Sequence, residues 1–538
     1  MMKRLLQTCL NVWAERGSNS LALVGNNDHV TYGALETSTN QFARLLQAAG
    51  CSRHDRVCIL AQKSPKAITA ILGSLKADCI YVPVDPSNPI ARSSTIIART
   101  EPRCIVADSS LHEAVVSIQK EAKTSAPVVW LGEDPGIEQA AFSHFLAKDA
   151  ATLSVQPLEY QNTPEDPAHI LFTSGSTGIP KGVVIKHSNV TAFVDWALPY
   201  FGTAPEDRIS CHPPLHFDLS TFDIFGTFTA GAALHLVPQE LNLNPLKLAE
   251  FIRNSELTQW FSVPAVLSYL ARFNINVQFP SLRRVLWCGE ALPVPTLIYW
   301  MKQIPSVTFT NLYGPTETTI ASSYYTVPNC PDDARASIPI GTPCDGEKLF
   351  VLDDNREQVK SGDIGELYIG GVGLSPGYWR DPEKTKSAFL QNPQTGELVY
   401  KTGDLARVDE YGLVHLLGRV DSQIKHRGYR IELGEVETAL NSLRILDECA
   451  VVAIPSAGFE STTICCAYVP KATPVNPTEI RTQLARLIPS YMLPSRWRSF
   501  SAELPKNING KIDRPLLRAL FRDETKATNS GTMADVAA

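Results

Sequence analysis

Apolar and polar positions follow two periods along most of the chain. Short apolar runs rich in β-branched residues, such as 56–61 and 128–131, predict buried strands. Apolar residues spaced three and four apart predict helices at 64–75 and 246–254. Strands that alternate with helices are typical of parallel sheets covered by helices on their faces. Between residues 20 and 400 the pattern therefore predicts an α/β fold with packed, largely parallel sheets.

The pattern changes near residues 412–417, where hairpin-like strands precede a polar, charged segment at 418–425. Beyond it the spacing predicts helices at 434–442 and 478–487 and strands at 449–454 and 462–469, which together form a small α+β unit. The last residues are small and polar and predict disorder. We therefore expect a large N-terminal core at 1–420, a small C-terminal domain at 421–521 and a disordered tail at 522–538.

The first residues begin with basic side chains but contain no apolar stretch long enough for a signal peptide. Leu5, Leu6, Leu10 and Trp13 fall on one face of a predicted amphipathic helix. No run reaches the ~20 apolar residues that a membrane-spanning helix needs. The sequence thus predicts a cytoplasmic protein without a membrane partner.

Composition narrows the function further. The 538 residues are 44% hydrophobic and 19% charged, as in soluble globular proteins. A net charge of −6 argues against nucleic acid as the main partner. The twelve cysteines include no CxxC pair or zinc-ligand spacing, which favours structural thiols in a reducing compartment.

The most informative stretch is ILFTSGSTGIPKGV at 170–183. An apolar strand runs into a loop of hydroxyls and glycines that ends at Lys181, and a second apolar run follows. Glycines let backbone N–H groups point at an anion, so this composition favours a phosphate-binding loop over a plain surface turn. Pro180 stands where a Walker A loop would have its second glycine, which argues against a P-loop kinase.

The loop LFTSGSTGIPKGV resembles the signature of the adenylate-forming superfamily, which includes acyl-CoA synthetases, luciferases and adenylation domains of nonribosomal peptide synthetases. Further motifs are similar to those of this family and stand in the family's order. Asp78 replaces a glycine that is usual in the second motif, which puts only a local turn in question. The matching motifs lie at 30–35, 75–86, 311–319, 365–378, 400–408, 418–437 and 504–514.

The resemblance implies ATP and Mg²⁺ as cofactors and assigns roles to particular residues. Glu317 matches the magnesium ligand, Tyr313 would stack on adenine, and Asp404 with Arg419 would hold the ribose. Lys181 would supply a cation beside the phosphates. The other implied ATP-binding residues are Thr173, Ser174, Gly175, Ser176, Thr177, Gly178, Gly289, Glu290, Ala291, Asn311, Gly314 and Thr318.

The C-terminal domain carries the mobile part of the implied mechanism. Lys511 resembles the lysine that bridges the substrate carboxylate and the α-phosphate, and is a catalytic candidate with Lys181 and Glu317. Asp421 matches the hinge about which the small domain turns. That rotation would bring the thiolation loop, Gly428, Tyr429 and Arg430, to the site for attack by a carrier thiol.

The segment HFDLSTFDIF at 216–225 indicates an amino acid substrate. Asp218 matches the aspartate that pairs with the substrate ammonium in amino-acid-activating members, although an aspartate here could also cap a helix. The remaining pocket is apolar and has no second charge, which favours a small or medium neutral amino acid such as proline, alanine or cysteine. By motif alignment the pocket would comprise Leu219, Phe222, Ser262, Leu286, Cys288, Leu312, Ile320 and Ala321.

The sequence contains no recognisable carrier-protein segment, so the resemblance implies a free-standing ligase with a separate phosphopantetheinylated carrier protein. A D-alanine–carrier protein ligase shares the FDLS motif and stays an alternative. An acyl-CoA synthetase is the nearest different class, and Asp218 argues against it. A degenerate scaffold subunit is disfavoured because Lys181, Glu317, Asp404 and Lys511 are all present.

Overall fold

Two large sheets carry most of the chain in the computed structural model, which describes residues 4–26, 28–136, 142–175, 177–275, 277–456, 462–471, 475–507 and 511–523. The larger sheet has nine strands and is parallel at its centre, with antiparallel strands at both edges. Its strands, in spatial order, are Thr342–Pro343, Ser323–Thr326, Thr308–Tyr313, Arg284–Trp287, Gln259–Ser262, Arg208–Cys211, Ala233–Leu236, Leu21–Val24 and His29–Thr31.

The second sheet has eight strands, and its central strands are again parallel. Its central strands are nearly continuous apolar runs, as expected for parallel strands with helices on both faces. In spatial order its strands are Gly377–Tyr378, Lys181–Lys186, Pro167–Thr173, Ile80–Pro83, Arg56–Leu60, Cys104–Ala107, Val128–Trp130 and His144–Leu146.

A third, antiparallel sheet of five strands follows in the chain. It consists of Glu347–Leu352, Ile364–Gly371, Leu398–Val408, Phe389–Gln391 and Val414–Arg419. Among the described residues, the α-helices are Asn11–Arg16, Tyr32–Ala48, Pro65–Lys76, Ile90–Thr100, His112–Ala122, His187–Phe201, Asp218–Ala230, Pro245–Asn254, Pro264–Arg272, Val294–Gln303, Pro382–Ala388, Leu433–Ser442 and Pro477–Leu484, and residues 514–523 are also helical.

The described chain divides into two compact units. The first draws on Met1–Pro86, Ser93–Phe172 and Lys181–Val420 and contains the three sheets. The second combines Asp421–Ala538 with two segments that are distant in sequence, Ser87–Arg92 and Thr173–Pro180. The predicted core at 1–420 therefore contributes two short segments to the packing of the second unit.

The second unit has its own apolar core. It contains a two-stranded hairpin and a separate three-stranded sheet. The hairpin strands are Gln423–His426 and Tyr429–Glu432, and the sheet strands are Leu446–Pro455, Thr462–Pro470 and Arg496–Ser499. Leu433, Val436, Leu440, Cys466 and Met492 are among the side chains that fill this core. The predicted tail begins with the helical residues Arg522 and Asp523, and the rest of that prediction lies outside the described residues.

The N-terminal segment differs from the predicted single helix. A 3₁₀ turn at Leu6–Cys9 precedes the short helix Asn11–Arg16. The backbone N–H of Leu6 donates to Nδ1 of His187 at 3.2 Å, which links this segment to a helix that lies far away in the sequence. Of the four residues predicted on the apolar face, Leu6 and Leu10 are buried, while Leu5 and Trp13 are partly exposed.

Asp78 adopts φ +55°, in the left-handed region that glycine enters without strain. Its carboxylate oxygens accept hydrogen bonds from the backbone N–H groups of Gln161 (2.7 Å) and Asn162 (3.2 Å). These bonds offset the cost of a non-glycine residue at this turn.

Among the described helices none is long and apolar enough to cross a bilayer.

Candidate functional site

The glycine-rich loop lies between the strand Pro167–Thr173 and the strand that begins at Lys181. A Cβ atom on Gly175 would lie 2.2 Å from the carbonyl oxygen of Ile179, and Gly178 has φ +80°, so both positions require glycine. The hydroxyl of Thr173 is buried and has no hydrogen-bond partner among the described residues. An unsatisfied donor in such a loop fits a bound phosphate oxygen. Ser176 lies outside the described residues.

Ser174, also in this loop, bonds within the second unit. Its hydroxyl donates to the carbonyl oxygen of Arg430 at 2.6 Å. The loop segment and the predicted thiolation loop thus belong to the same compact unit in this structure.

Lys181, Glu317 and Tyr378 form a buried cluster in the first unit. The lysine Nζ lies 2.9 Å from Oε1 of Glu317 and 3.1 Å from the hydroxyl of Tyr378. That hydroxyl donates to the same carboxylate oxygen at 2.8 Å. Glu317 is fully buried, so the lysine cation and the tyrosine hydroxyl compensate the charge that its carboxylate brings inside.

Tyr378 was missed by the sequence-based assignment, although its motif was recognised. Its strand pairs with the strand Lys181–Lys186, with Tyr378 opposite Val183. Val183 lies two residues after Lys181 on the same strand, so this pairing brings Tyr378 close to Lys181. Only the pairing register reveals the contact, because the two residues are far apart in sequence.

A second polar cluster surrounds Asp404. Tyr313 donates its hydroxyl hydrogen to Oδ2 of Asp404 at 2.5 Å, and Nη1 of Arg419 lies 2.6 Å from Oδ1. Burial and the neighbouring Asp404 carboxylate raise the pKa of Tyr313 well above its usual range, so the phenol stays a donor. Asn311 donates to the carbonyl oxygen of Pro339 at 2.8 Å. The structure brings three of the predicted nucleotide-binding side chains into one hydrogen-bonded group.

The backbone around this cluster is tightly constrained. Gly289 has φ +100° in the loop that follows the strand Arg284–Trp287, with Glu290 and the exposed Ala291 after it. A Cβ on Gly314 would lie 2.6 Å from the Cα of Ala321. Thr318 is fully buried and accepts a hydrogen bond from the Ser322 hydroxyl at 2.7 Å.

Asp218 is the first residue of the helix Asp218–Ala230, and Phe217 occupies the N-cap position. The Asp218 carboxylate accepts a hydrogen bond at its Oδ2 from the hydroxyl of Thr316 at 2.9 Å. Thr316 therefore joins the candidate site, although no role was predicted for it. Its place one residue before Glu317 was the signal available in the sequence.

The predicted pocket residues come together in the first unit. The parallel strands that end near Ser262, Leu286 and Leu312 place them toward the carboxyl edge of the nine-stranded sheet, where ligands bind in open α/β folds. The Ser262 hydroxyl accepts a hydrogen bond from Nε1 of Trp260 at 2.9 Å. All eight pocket residues are at most 4% exposed, and seven belong to one apolar cluster: Leu219, Phe222, Leu286, Cys288, Leu312, Ile320 and Ala321.

The remaining candidates lie in the second unit. Lys511 is exposed; its N–H donates to Oδ1 of Asn507 at 3.1 Å and its carbonyl accepts from the Asn507 N–H at 2.7 Å. Asp421 begins the C-terminal segment of the unit and accepts a hydrogen bond from the N–H of Gln423 at 3.1 Å. Gly428 and Tyr429 lie at the end of the hairpin, just before Arg430.

No group of three or more histidine, cysteine, aspartate or glutamate side chains is placed to hold a metal within the described residues. Glu317 offers one buried carboxylate. Mg²⁺ commonly binds through one or two carboxylates and substrate phosphates, so a single carboxylate fits that ion.

Two family models match the chain: "AMP-binding enzyme" over residues 10–379 and "AMP-binding enzyme C-terminal domain" over residues 435–511. The chain therefore belongs to the AMP-binding enzyme family and is an adenylate-forming ligase. Enzymes of this kind use ATP. The predictions of family, of an α/β fold with a smaller C-terminal domain, and of ligase activity are confirmed.

Several curated relatives cover nearly the whole chain. An L-proline–(L-prolyl-carrier protein) ligase from Streptomyces coelicolor is 35% identical, over 91% of this chain and 92% of the relative. A ligase of the same name from Pseudomonas fluorescens is 32% identical, over 92% and 94%. Tyrocidine synthase 3 from Brevibacillus parabrevis is 32% identical over 94% of this chain, which spans only 7% of that much longer protein.

Solved structures agree with this assignment. The Vibrio cholerae adenylation domain AlmE, crystallised with glycyl-adenosine-5'-phosphate, has a TM-score of 0.83 and 27% identity, over 96% of this chain and 98% of that chain. IdnL1 has a TM-score of 0.75 and 27% identity, over 93% and 98%.

Proposed function

We propose that this enzyme activates a small neutral amino acid, with L-proline the first candidate, as the aminoacyl-AMP. It then transfers the aminoacyl group to the phosphopantetheine thiol of a separate carrier protein. The single observation that carries the proposal is the carboxylate of Asp218, which begins the helix whose residues Leu219 and Phe222 lie in one apolar cluster with five other predicted pocket residues. A carboxylate beside apolar side chains is stabilised by a cation, which an amino acid supplies as its ammonium group.

The pocket supports a small neutral side chain. Apart from Asp218, the predicted pocket residues carry no charged side chain, so a charged substrate side chain would have no partner among them. The ring of Phe222 is packed edge-on against Phe193, with centroids 5.2 Å apart, which limits the room for its displacement. The Ser262 hydroxyl is bonded to Trp260, so we expect it to contribute little to recognising a polar side chain. Two free-standing relatives of matching length are named as proline ligases.

In the first half-reaction a carboxylate oxygen of the amino acid attacks the α-phosphorus of ATP. A new P–O bond forms, the bond to the β-phosphate bridge breaks, and pyrophosphate leaves. Two anions must approach each other, so catalysis depends on cations and on oriented donors. We assign Lys511 to the carboxylate and α-phosphate, Lys181 to the phosphates, and the loop N–H and hydroxyl groups to orientation.

Asp404 and Arg419 would hold the ribose hydroxyls, and Tyr313 would present its ring to adenine while its hydroxyl keeps Asp404 in place. Glu317 would hold Mg²⁺, which neutralises phosphate charge when bound. Tyr378, through its hydrogen bond to Oε1, fixes the orientation of that carboxylate.

For the second half-reaction we propose that residues 421–521 act as a mobile domain that turns about Asp421. The turn would withdraw Lys511 and present Gly428, Tyr429 and Arg430. Alternation of this kind lets one site support two chemical steps in succession.

The decisive test is ATP–pyrophosphate exchange with proline, alanine in both configurations, cysteine and valine. Cyclopentanecarboxylate, which keeps the ring of proline and lacks the amine, serves as the matched control. We expect exchange with proline or another small amino acid and little with the control acid. The variant Asp218→Asn should lose exchange with the amino acid.

Exchange that prefers cyclopentanecarboxylate would contradict the role of Asp218 and point to an acyl-CoA synthetase. Preference for D-alanine would instead favour a D-alanine–carrier protein ligase. The thiol acceptor is tested by offering coenzyme A and a phosphopantetheinylated carrier protein separately to the enzyme with its adenylate. Thioester on coenzyme A alone would contradict transfer to a carrier.

A further inference from the structure

Two tyrosine rings stack in the second unit. The rings of Tyr429 and Tyr491 are nearly parallel, with centroids 3.6 Å apart and planes inclined by 16°. Tyr429 belongs to the predicted thiolation loop, whereas Tyr491 lies some sixty positions along the chain, in the 3₁₀ turn Ser490–Met492. The stack therefore joins a candidate functional loop to a separate part of the unit.

The loop needs such support because its turn is strained. His426 pairs with Tyr429, and the two residues between them, Arg427 and Gly428, have φ of +53° and +82°. Two positive φ values in a two-residue connection define a type I′ turn. Glycine adopts this conformation freely, but Arg427 carries a Cβ and is disfavoured there. A contact outside the hairpin, such as the stack with Tyr491, adds support to the turn in this form.

Tyr491 is well placed to provide that contact. Its neighbour Met492 is fully buried in the core of the unit, which fixes the 3₁₀ turn. Both tyrosine rings pack, partly buried, on that core. The position of Tyr491 is thus set by the core, and the position of Tyr429 is set in part by Tyr491.

We propose that Tyr491 is a positioning residue for the thiol-transfer step, which it serves by holding Tyr429 and the adjoining loop. The inference rests on the function proposed above. In that step the carrier thiol, on losing its proton to water, attacks the carbonyl carbon of the aminoacyl-AMP. A C–S bond forms, the C–O bond to the phosphate breaks, and AMP leaves. Tyr491 acts through Tyr429 and contacts no reacting atom.

The test compares Tyr491→Ala and Tyr491→Phe in the full chain. Phenylalanine keeps the stacked ring and serves as the matched control. In single-turnover assays with supplied aminoacyl-AMP, we expect Tyr491→Ala to slow loading of the phosphopantetheinylated carrier by about 2- to 10-fold, the range for one aromatic pair. ATP–pyrophosphate exchange should stay at the wild-type rate, and Tyr491→Phe should match the wild type in both assays.

Trypsin gives a readout that does not depend on activity. Arg427 is exposed at the turn, so loss of the stack should accelerate cleavage after Arg427 in Tyr491→Ala and not in Tyr491→Phe. Equal loss of exchange and loading, or unchanged loading with unchanged cleavage, would overturn the inference. If the wild type exchanges with no amino acid, the proposed function falls, while the cleavage assay still tests the stack.

Discussion

The hydroxyl of Thr316 donates a hydrogen bond to Oδ2 of Asp218 over 2.9 Å, joining the residue beside Glu317 to the carboxylate proposed to bind the amine. Thr316 precedes Glu317 in a short 3₁₀ turn, and Asp218 begins a helix almost a hundred positions earlier. The bond restricts the rotamer of the carboxylate.

Removing this hydroxyl should weaken recognition of the amine. A hydrogen bond to a charged group contributes about 1.5–3 kcal/mol, so Thr316→Val should raise the KM for the amino acid by at least about 10-fold. Thr316→Ser keeps the hydroxyl and should stay near the wild type. Steady-state pyrophosphate exchange measures both values.

Thr326→Val is the matched control, because the Thr326 hydroxyl bonds to Thr310 at 2.7 Å and has no proposed role in the pocket. It should leave the KM for the amino acid unchanged. An equal rise in both variants would show a general effect of losing a threonine hydroxyl and would contradict the positioning role.

Lys511→Ala should abolish adenylate formation and spare thiol transfer from supplied aminoacyl-AMP, because the lysine is assigned to the first half-reaction alone. Lys471→Ala removes another exposed lysine of the same unit and should change neither step. Single-turnover assays of the two half-reactions separate the outcomes. Equal loss of both steps in Lys511→Ala would refute the alternation of domains.

Glu347 predicts a pH-dependent stability. Burial raises its pKa to about 7 from the usual 4.5, and its Oε1 accepts a hydrogen bond from the Gly373 N–H at 2.6 Å. The Glu347 carboxyl binds its proton more tightly in the folded state than in the unfolded state. Its contribution to the free energy of unfolding is therefore fully present below pH 4.5 and is lost as the pH rises through 7. Glutamine does not titrate, so Glu347→Gln does not lose this contribution. The free energy of unfolding of the variant, relative to the wild type, should therefore rise by up to about 3 kcal/mol between pH 5 and pH 8.5.

Urea unfolding of both proteins at these two pH values measures that gain. Glu357→Gln, at an exposed position beyond the end of the strand Glu347–Leu352, serves as the matched control. A constant difference between Glu347→Gln and the wild type at both pH values would contradict titration of Glu347 near neutrality.

Lys63 fixes the segment that leads to Asp218. Its ammonium donates to the carbonyl oxygens of Cys211, His212 (2.8 Å) and Pro213 (3.4 Å), and burial lowers its pKa. Lys63→Met would remove this donor from the carbonyls of His212 and Pro213 and should lower the free energy of unfolding by about 1–3 kcal/mol. Lys66→Met, at an exposed site three residues on, should have little effect. Similar urea midpoints for the two variants would show that the carbonyl contacts contribute little.

The sequence by itself determined the α/β class, the family and the order of the candidate motifs. These features are local, because strand and helix periods and the glycines of a phosphate loop act within a few residues. The strand predicted at 56–61 and the helix predicted at 64–75 occur at Arg56–Leu60 and Pro65–Lys76. The roles assigned to individual site residues stay predictions.

Only the tertiary structure decided which side chains meet. Strand register brings Tyr378 to Lys181 and Glu317, and the fold brings Thr316 to Asp218. The His187 ring accepts a hydrogen bond from the Leu6 N–H, which ties the N-terminal segment to a distant helix. Contacts of this kind join residues far apart in the chain, so their geometry follows from packing and register and leaves no periodic signal in the sequence.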